Sequence, residues 1–323
     1  MNRWRHSLII SAVIALGLYG IFILVSDYQV TLNAVIRLGW GGWTIILTLS
    51  LLNYLLRFGR WQFYLRRLHH SIPSSLHLAY YVAGFALTTT PGKAGEAIRS
   101  FYLKSHAVSY GDSLAALFAE RFIDLLAMVL LATLIATHFP SYGWLIAITS
   151  VLLLLLTIPI AQSHRLSDFM EMRGRHHASR LNTILERLAS LLRSSAILLG
   201  WRQLYWGLAI GILAWGAEGV GFFIVLAALD IDIPMMQAIS IYAIGILAGA
   251  LSFIPGGIGS TETVMSLLLV AMGADLATAV AATLICRVAT LWFAVAIGFI
   301  ALVGLEAHGY SLARMSSTHA NAE

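Results

Sequence analysis

Residues 126–136 read LAMVLLATLIA and residues 150–161 read SVLLLLLTIPIA. Neither run alternates polar with apolar residues. In lipid every backbone N–H and C=O must be paired within the structure, which leaves helices or a closed barrel. A barrel strand needs alternation, so these runs specify helices. The rest of the chain agrees. Of its 323 residues, 59% are hydrophobic and only 11% charged, where a soluble domain has about 25% charged residues. Mean hydropathy is +0.83. The expected fold is all-α, a polytopic membrane helical bundle.

Six segments reach the length of about 20 residues that a span needs: roughly 8–26, 43–65, 113–137, 142–161, 203–229 and 277–304. The first follows MNRWRHS and reads as an uncleaved helix, since it is longer than a signal-peptide core and lacks a clear cleavage site. Two further apolar regions, 76–103 and 236–272, are each split by Pro-Gly. The arms of the first, Leu78–Thr90 and Gly95–Leu103, are too short to cross and suit a re-entrant hairpin. Those of the second, Ala238–Ile254 and Ile258–Met272, are longer, and both crossing and re-entry stay open.

Basic residues set the orientation. With Arg3 and Arg5 in the cytoplasm, the second span returns Arg57, Arg60, Arg66 and Arg67 to that side. A hairpin entering from there keeps Lys93, Arg99 and Lys104 near it, and the loop 164–202 with its seven arginines follows. Arg37 falls outside; Arg121 and Arg287 fall within spans. Both termini are then cytoplasmic, in a bacterial-type inner (plasma) membrane. The net charge of +5 reflects topology and anionic headgroups, so membrane lipids are the expected partners and nucleic acid is not. A homodimer is one oligomeric state left open. Residues 183–199 place leucines on one face and read as an interfacial helix or a packed linker. Residues 1–310 form a single transmembrane domain, and 311–323 read as a disordered tail.

The two split regions resemble each other. Pro91-Gly92-x-x-Gly95 precedes Glu96, and Arg121 follows in the next span. Pro255-Gly256-x-x-Gly259, with Gly257 inside it, precedes Glu262, and Arg287 follows in the next span. Glutamate and arginine are 25 residues apart in both copies. The unit is span, broken hairpin, span. Repeat one covers about 43–137 and repeat two about 203–304. Opposite entry sides make the copies inverted, a recurring plan of secondary transporters. Proline ends a half-helix and glycine permits the turn, while a half-helix N-terminus offers donors to an anion such as a lipid phosphate.

Ionisable residues in spans are costly and pair or line a path. Glu120, Arg121 and Asp124 sit together at the start of the third span, and Glu218 sits mid-span among small residues. Two readings stand side by side. One is an ion-paired knot, Glu96 with Arg121 and Glu262 with Arg287, fixing each hairpin. The other has arginines attracting a lipid phosphate while carboxylates handle protons or a cationic headgroup. Glu218 divides likewise between a pathway and an interhelical hydrogen bond.

Enzyme signals are weak. Gly92-Lys93 lacks the rest of a P-loop, and Gly256-Gly257-Ile258-Gly259 follows no strand. The 11 histidines, His69-His70 and His176-His177 among them, show no metal-ligand spacing, and Cys286 is the one cysteine. No cofactor, metal or catalytic residue is expected.

The order PGKAGEAIR, SLAALFAERFID, IPGGIGSTE and then a span with Cys286-Arg287 resembles the flippase-like transmembrane domain of lysylphosphatidylglycerol synthases and their stand-alone relatives, over about residues 10–305. The resemblance implies a lipid-translocating bundle of inverted repeats. It also implies that Pro91, Gly95, Glu96, Arg99, Glu120, Arg121, Asp124, Pro255, Gly259, Glu262 and Arg287 occupy motif positions. Only residues 305–323 follow the last span, so the synthases' soluble transferase domain is not expected and lipid aminoacylation is not implied. The expected function is a flippase for an anionic phospholipid or polyprenyl-phosphate-linked lipid. In that reading Arg121 and Arg287 hold the headgroup, and Glu96, Glu262 and Asp124 respond to a coupling ion. The alternative is a non-transporting scaffold or accessory subunit of a lipid-modifying enzyme.

Overall fold

The computed structural model describes residues 28–137, 148, 191 and 193–310, with only the backbone of 91–94. The expected spans 8–26 and 142–161, most of the loop 164–202 with its interfacial helix, and the tail 311–323 lie outside the described residues. The described elements are all helical. Three helical stretches are long and apolar enough to cross a membrane: Tyr28–Arg67, Trp201–Ala228 and Leu276–Ala307. The chain is a multi-pass helical membrane protein.

Helix α1 (Tyr28–Arg67) breaks at Gly39, where φ is 61° and ψ 172°. Its part after Gly39 contains the expected span 43–65 and is about 40 Å long at 1.5 Å per residue. The part before it, which the sequence reading left outside the spans, brings Arg37 to Asp230 at 3.0 Å on an exposed surface. That pair explains why a lone arginine stands among uncharged neighbours there.

The first split region is broken at its Pro-Gly, as expected. Helix α2 (Ser74–Ala83) tightens into a 3₁₀ turn at Gly84–Leu87. A second 3₁₀ run at Pro91–Ile98 leads into α3 (Arg99–Lys104). Helix α4 (Tyr110–Ala132) follows, its first turn capped by Ser109, whose hydroxyl accepts from the Asp112 amide. A long helix, a broken pair and a further helical stretch then follow. Helix α5 (Trp201–Ala228) precedes a pair broken at the second Pro-Gly, α6 (Met235–Leu251) and α7 (Ser260–Ala271). Helix α8 (Leu276–Arg287) passes through a π turn at Val288–Trp292 into α9 (Phe293–Ala307). The Asp275 carboxylate caps α8; hydrogen bonds from the Thr278 side chain and the Ala277 and Thr278 amides hold its pKa below the usual carboxylate range.

The two units interlock. α1 lies along α5, α9 packs on α2 and its 3₁₀ turn, and α6 packs on α4. The two break points also meet, since the Pro91–Ile98 run packs against Pro255–Gly257. This contact places the charged residues of both halves in one region.

The parallel between the two PGxxG motifs stops at the backbone. In the second, Gly256, Gly257 and Gly259 all have positive φ, at 65°, 65° and 88°. Gly257 also lies so close to α6 that a Cβ there would come within 2.8 Å of the Gly249 Cα. In the first motif, Gly95 serves close packing instead: a Cβ would stand 2.5 Å from the Leu87 Cβ and 2.7 Å from its carbonyl oxygen.

A candidate lipid-headgroup site

The site starts with α1. Arg57 and Arg60 lie three residues apart on one helical face, and both are buried, Arg60 completely. Both are turned into the bundle, in the half of α1 whose end was expected to be basic. Arg60 forms an ion pair and hydrogen bond with Asp124, and Arg57 reaches Glu120 at 3.3 Å and Asp124 at 3.5 Å. Arg99, expected near the cytoplasmic side, is 1% exposed. It donates to Glu96 at 2.8 Å and to Glu120 at 3.0 Å, with its guanidinium 4.0 Å from the centre of the Tyr81 ring.

Arg121 completes this cluster. Its Nη2 lies 3.5 Å from Glu96, 3.0 Å from Glu120 and 3.2 Å from Asp124. Of the cluster's arginines it alone keeps substantial exposure, 24% of its side chain. Glu120 and Glu96 are further bound by hydroxyls, Tyr81 at 2.6 Å and Thr88 at 2.8 Å. Burying so many charges is tolerable only because each carboxylate meets cations and donors together.

The second half is simpler. Arg287 Nε donates to Glu262 at 2.7 Å, and its Nη2 donates to the Gly256 carbonyl at 2.5 Å. Glu262 also accepts from the Gly259 amide at 2.7 Å. The expected pairs Glu96–Arg121 and Glu262–Arg287 therefore both exist, one within a network and the other clamping the Pro-Gly turn. Arg287 is held by the turn that it holds.

These groups wall a cavity of about 440 Å³, within the usual range for ligand sites. Arg57, Arg121, Asp124, Glu218 and Arg287 all line it, with Thr88, Thr90 and Thr261 adding hydroxyls. Most of the remaining wall is apolar. Phe118 and Leu125 of α4, and Phe253 and Ile254 beyond α6, line it with exposed side chains. Glu218 is 4% exposed and accepts a hydrogen bond from the Tyr242 hydroxyl. Pro91, Gly92 and Lys93 belong to the backbone of the first tip, and the Lys93 side chain lies outside the described residues. Among the described residues no group of three or more metal-ligating side chains is brought together. His70 instead pairs with Asp112 at 2.9 Å.

Sequence reasoning missed three residues as site members. Arg57 and Arg60 stood inside the predicted span 43–65, and an arginine inside a span is a signal in itself. They were read as part of its basic end. Tyr54 donates to the Thr290 carbonyl at 2.6 Å, within the π turn. A π turn shifts the backbone register and is frequent at functional sites, but it has no single-sequence signature.

Residues 8–298 match the family model described as the lysylphosphatidylglycerol synthase transmembrane region. The chain belongs to this family. It is similar to a UPF0104 membrane protein of Pyrococcus horikoshii, 27% identical over 244 residues, covering 68% of this chain and 73% of that protein. It is also similar to UPF0104 membrane proteins of Methanothermobacter thermautotrophicus. One is 23% identical over 239 residues, covering 67% of this chain and 70% of the relative. Another is 26% identical over 226 residues, covering 64% and 66%.

Proposed function

We propose that this family member is a lipid transporter of the inner membrane, moving an anionic phospholipid or polyprenyl-phosphate-linked lipid between leaflets, with no chemical step of its own. One observation carries the reading: the arginine-walled cavity has a rim of exposed apolar side chains. A membrane lipid has the same two-part character, an anionic phosphate on apolar chains. Guanidinium groups suit phosphate oxygens through charge-assisted hydrogen bonds. Arg57 and Arg121 are the headgroup residues in this reading, since both line the cavity, unlike Arg60 and Arg99, and Nε of each is buried without a hydrogen-bond partner among the described residues. Arg287 and Glu262 hold the second tip in place. The broken pairs are taken as re-entrant and the two units as inverted, with both termini cytoplasmic.

The scaffold reading shares the ion pairs but gives no role to the cavity. Lipids that co-purify with the protein separate the two, measured by native mass spectrometry. The wild type is expected to retain an anionic phospholipid or polyprenyl phosphate, and Arg121→Ala to lose it while keeping its melting temperature within a few degrees. Retention of the same lipid by both proteins, or of none by either, contradicts the transporter reading.

A further inference from the structure

Around the second tip the backbone takes positive φ at Phe253, Gly256, Gly257 and Gly259. Glycine adopts that conformation freely. Phe253, at 55°, does so with a full side chain. It stands one residue past Ser252, the C-cap of α6, where a left-handed residue is ordinarily glycine or asparagine. A left-handed backbone under a bulky side chain is strained and persists only where its surroundings fix it. Here they do. The Ser252 hydroxyl donates to the Gly249 carbonyl at 2.8 Å and accepts from the Ile254 amide at 3.2 Å. The Gly257 amide donates to the Ile254 carbonyl at 2.8 Å.

Packing inside the protein does not offset that strain, because Phe253 is 73% exposed. Glycine would relieve the backbone at this position and would leave no ring there. The ring belongs to the cavity wall. His69, Ala107 and Asp230 also have positive φ, but among the described non-glycine residues of that conformation Phe253 alone lines the cavity. Helices α4 and α6 touch where the Ser240 hydroxyl donates to the Ala132 carbonyl at 2.6 Å. Elsewhere along the two helices the cavity lies between them, with exposed Phe118 and Leu125 on α4 and exposed Phe253 and Ile254 just beyond α6. Arg57 and Arg121 line the same cavity, so its apolar and cationic walls are continuous.

We propose that Phe253 is a specificity residue for the lipid's hydrocarbon chain. Its ring packs on the methylenes next to a headgroup held by the arginines, and the left-handed backbone is kept because the ring is needed at that place. The proposal rests on the anionic-lipid reading of the cavity. Phe253 then adds affinity for a ligand that carries chains and none for the same headgroup without them.

The test measures Kd of the full-length protein in neutral detergent for dihexanoyl phosphatidylglycerol and for glycerophosphoglycerol, its headgroup without chains. Phe253→Asn suits the left-handed backbone and removes the apolar surface. Phe253→Leu keeps an apolar surface and the strain. The wild type is expected to bind the lipid more tightly than the bare headgroup. Phe253→Asn is expected to weaken lipid binding about fivefold, the loss of part of one apolar contact. It should bind glycerophosphoglycerol as the wild type does and melt at or above the wild-type temperature. Phe253→Leu should recover most of the lipid affinity. Equal lipid affinity in wild type and Phe253→Asn overturns the proposal and leaves anionic binding standing. So does equal wild-type affinity for the two ligands, or a parallel loss of both in Phe253→Asn. A lower melting temperature for Phe253→Asn, misfolding included, makes the ring part of the fold and also overturns it. Binding of neither ligand by the wild type overturns the lipid reading and this proposal together.

Discussion

Arg287 spends two donors within its own half, on the Glu262 carboxylate at 2.7 Å and the Gly256 carbonyl at 2.5 Å. Truncating it leaves a buried carboxylate and a buried carbonyl short of a donor, so Arg287→Ala is expected to cost about 3–5 kcal/mol. Because breaking a buried pair is worse than removing it, Glu262→Gln with Arg287→Met is expected to be more stable than the arginine truncation alone. Thermal unfolding in detergent reads both; additive losses would show that the two residues act independently. Glutamate and arginine 25 residues apart were visible in the sequence for both halves, and so was the choice between a tie and a grip. The tie in the second half was not decidable there, because the Gly256 carbonyl becomes an acceptor only through the turn that glycines at positive φ allow. Arg57 and Arg60 were hidden for another reason. Charges near a span end fit the positive-inside pattern whether they snorkel outward or, as here, turn into the bundle.

At the level of elements, apolar length placed α1, α5 and α8–α9, and proline placed both breaks. Glycine spacing predicted two like turns, yet one is a 3₁₀ run of Pro91–Ile98 and the other a three-residue turn of Pro255–Gly257. Identical breakers leave the backbone several solutions, and packing on the neighbouring helix selects among them. Gly257→Ala meets both a left-handed φ and the Gly249 backbone, and is expected to destabilise by about 2 kcal/mol or more. Gly95→Ala meets the Leu87 carbonyl and is expected to open the first tip by a similar margin. Hydrogen exchange over each tip distinguishes them: each variant should loosen its own tip first, and uniform loosening would contradict separate turns. Tyr54 donates a hydrogen bond into the π turn after Arg287. Tyr54→Phe removes the hydroxyl that donates to the Thr290 carbonyl, with an expected loss of about 1–3 kcal/mol.

Across the whole molecule, the contact between the Pro91–Ile98 run and Pro255–Gly257 turns two separate motifs into one site. That contact joins residues more than 150 positions apart in the chain, and no periodicity reports such a distance. The sequence could supply the parts and their order; the cavity arises only when the two broken regions meet. A cavity with guanidinium groups inside and apolar side chains at its rim matches a lipid moving headgroup-first while its chains stay in the bilayer. Proteoliposomes carrying a fluorescent phosphatidylglycerol test this account most directly, through the rate at which dithionite-protected lipid reaches the outer leaflet. The wild type is expected to accelerate that exchange well above protein-free vesicles, and Arg121→Ala, reconstituted to the same level and equally folded, to lose at least about 2 kcal/mol of barrier lowering, some thirtyfold in rate. Equal rates for wild type and Arg121→Ala would contradict it.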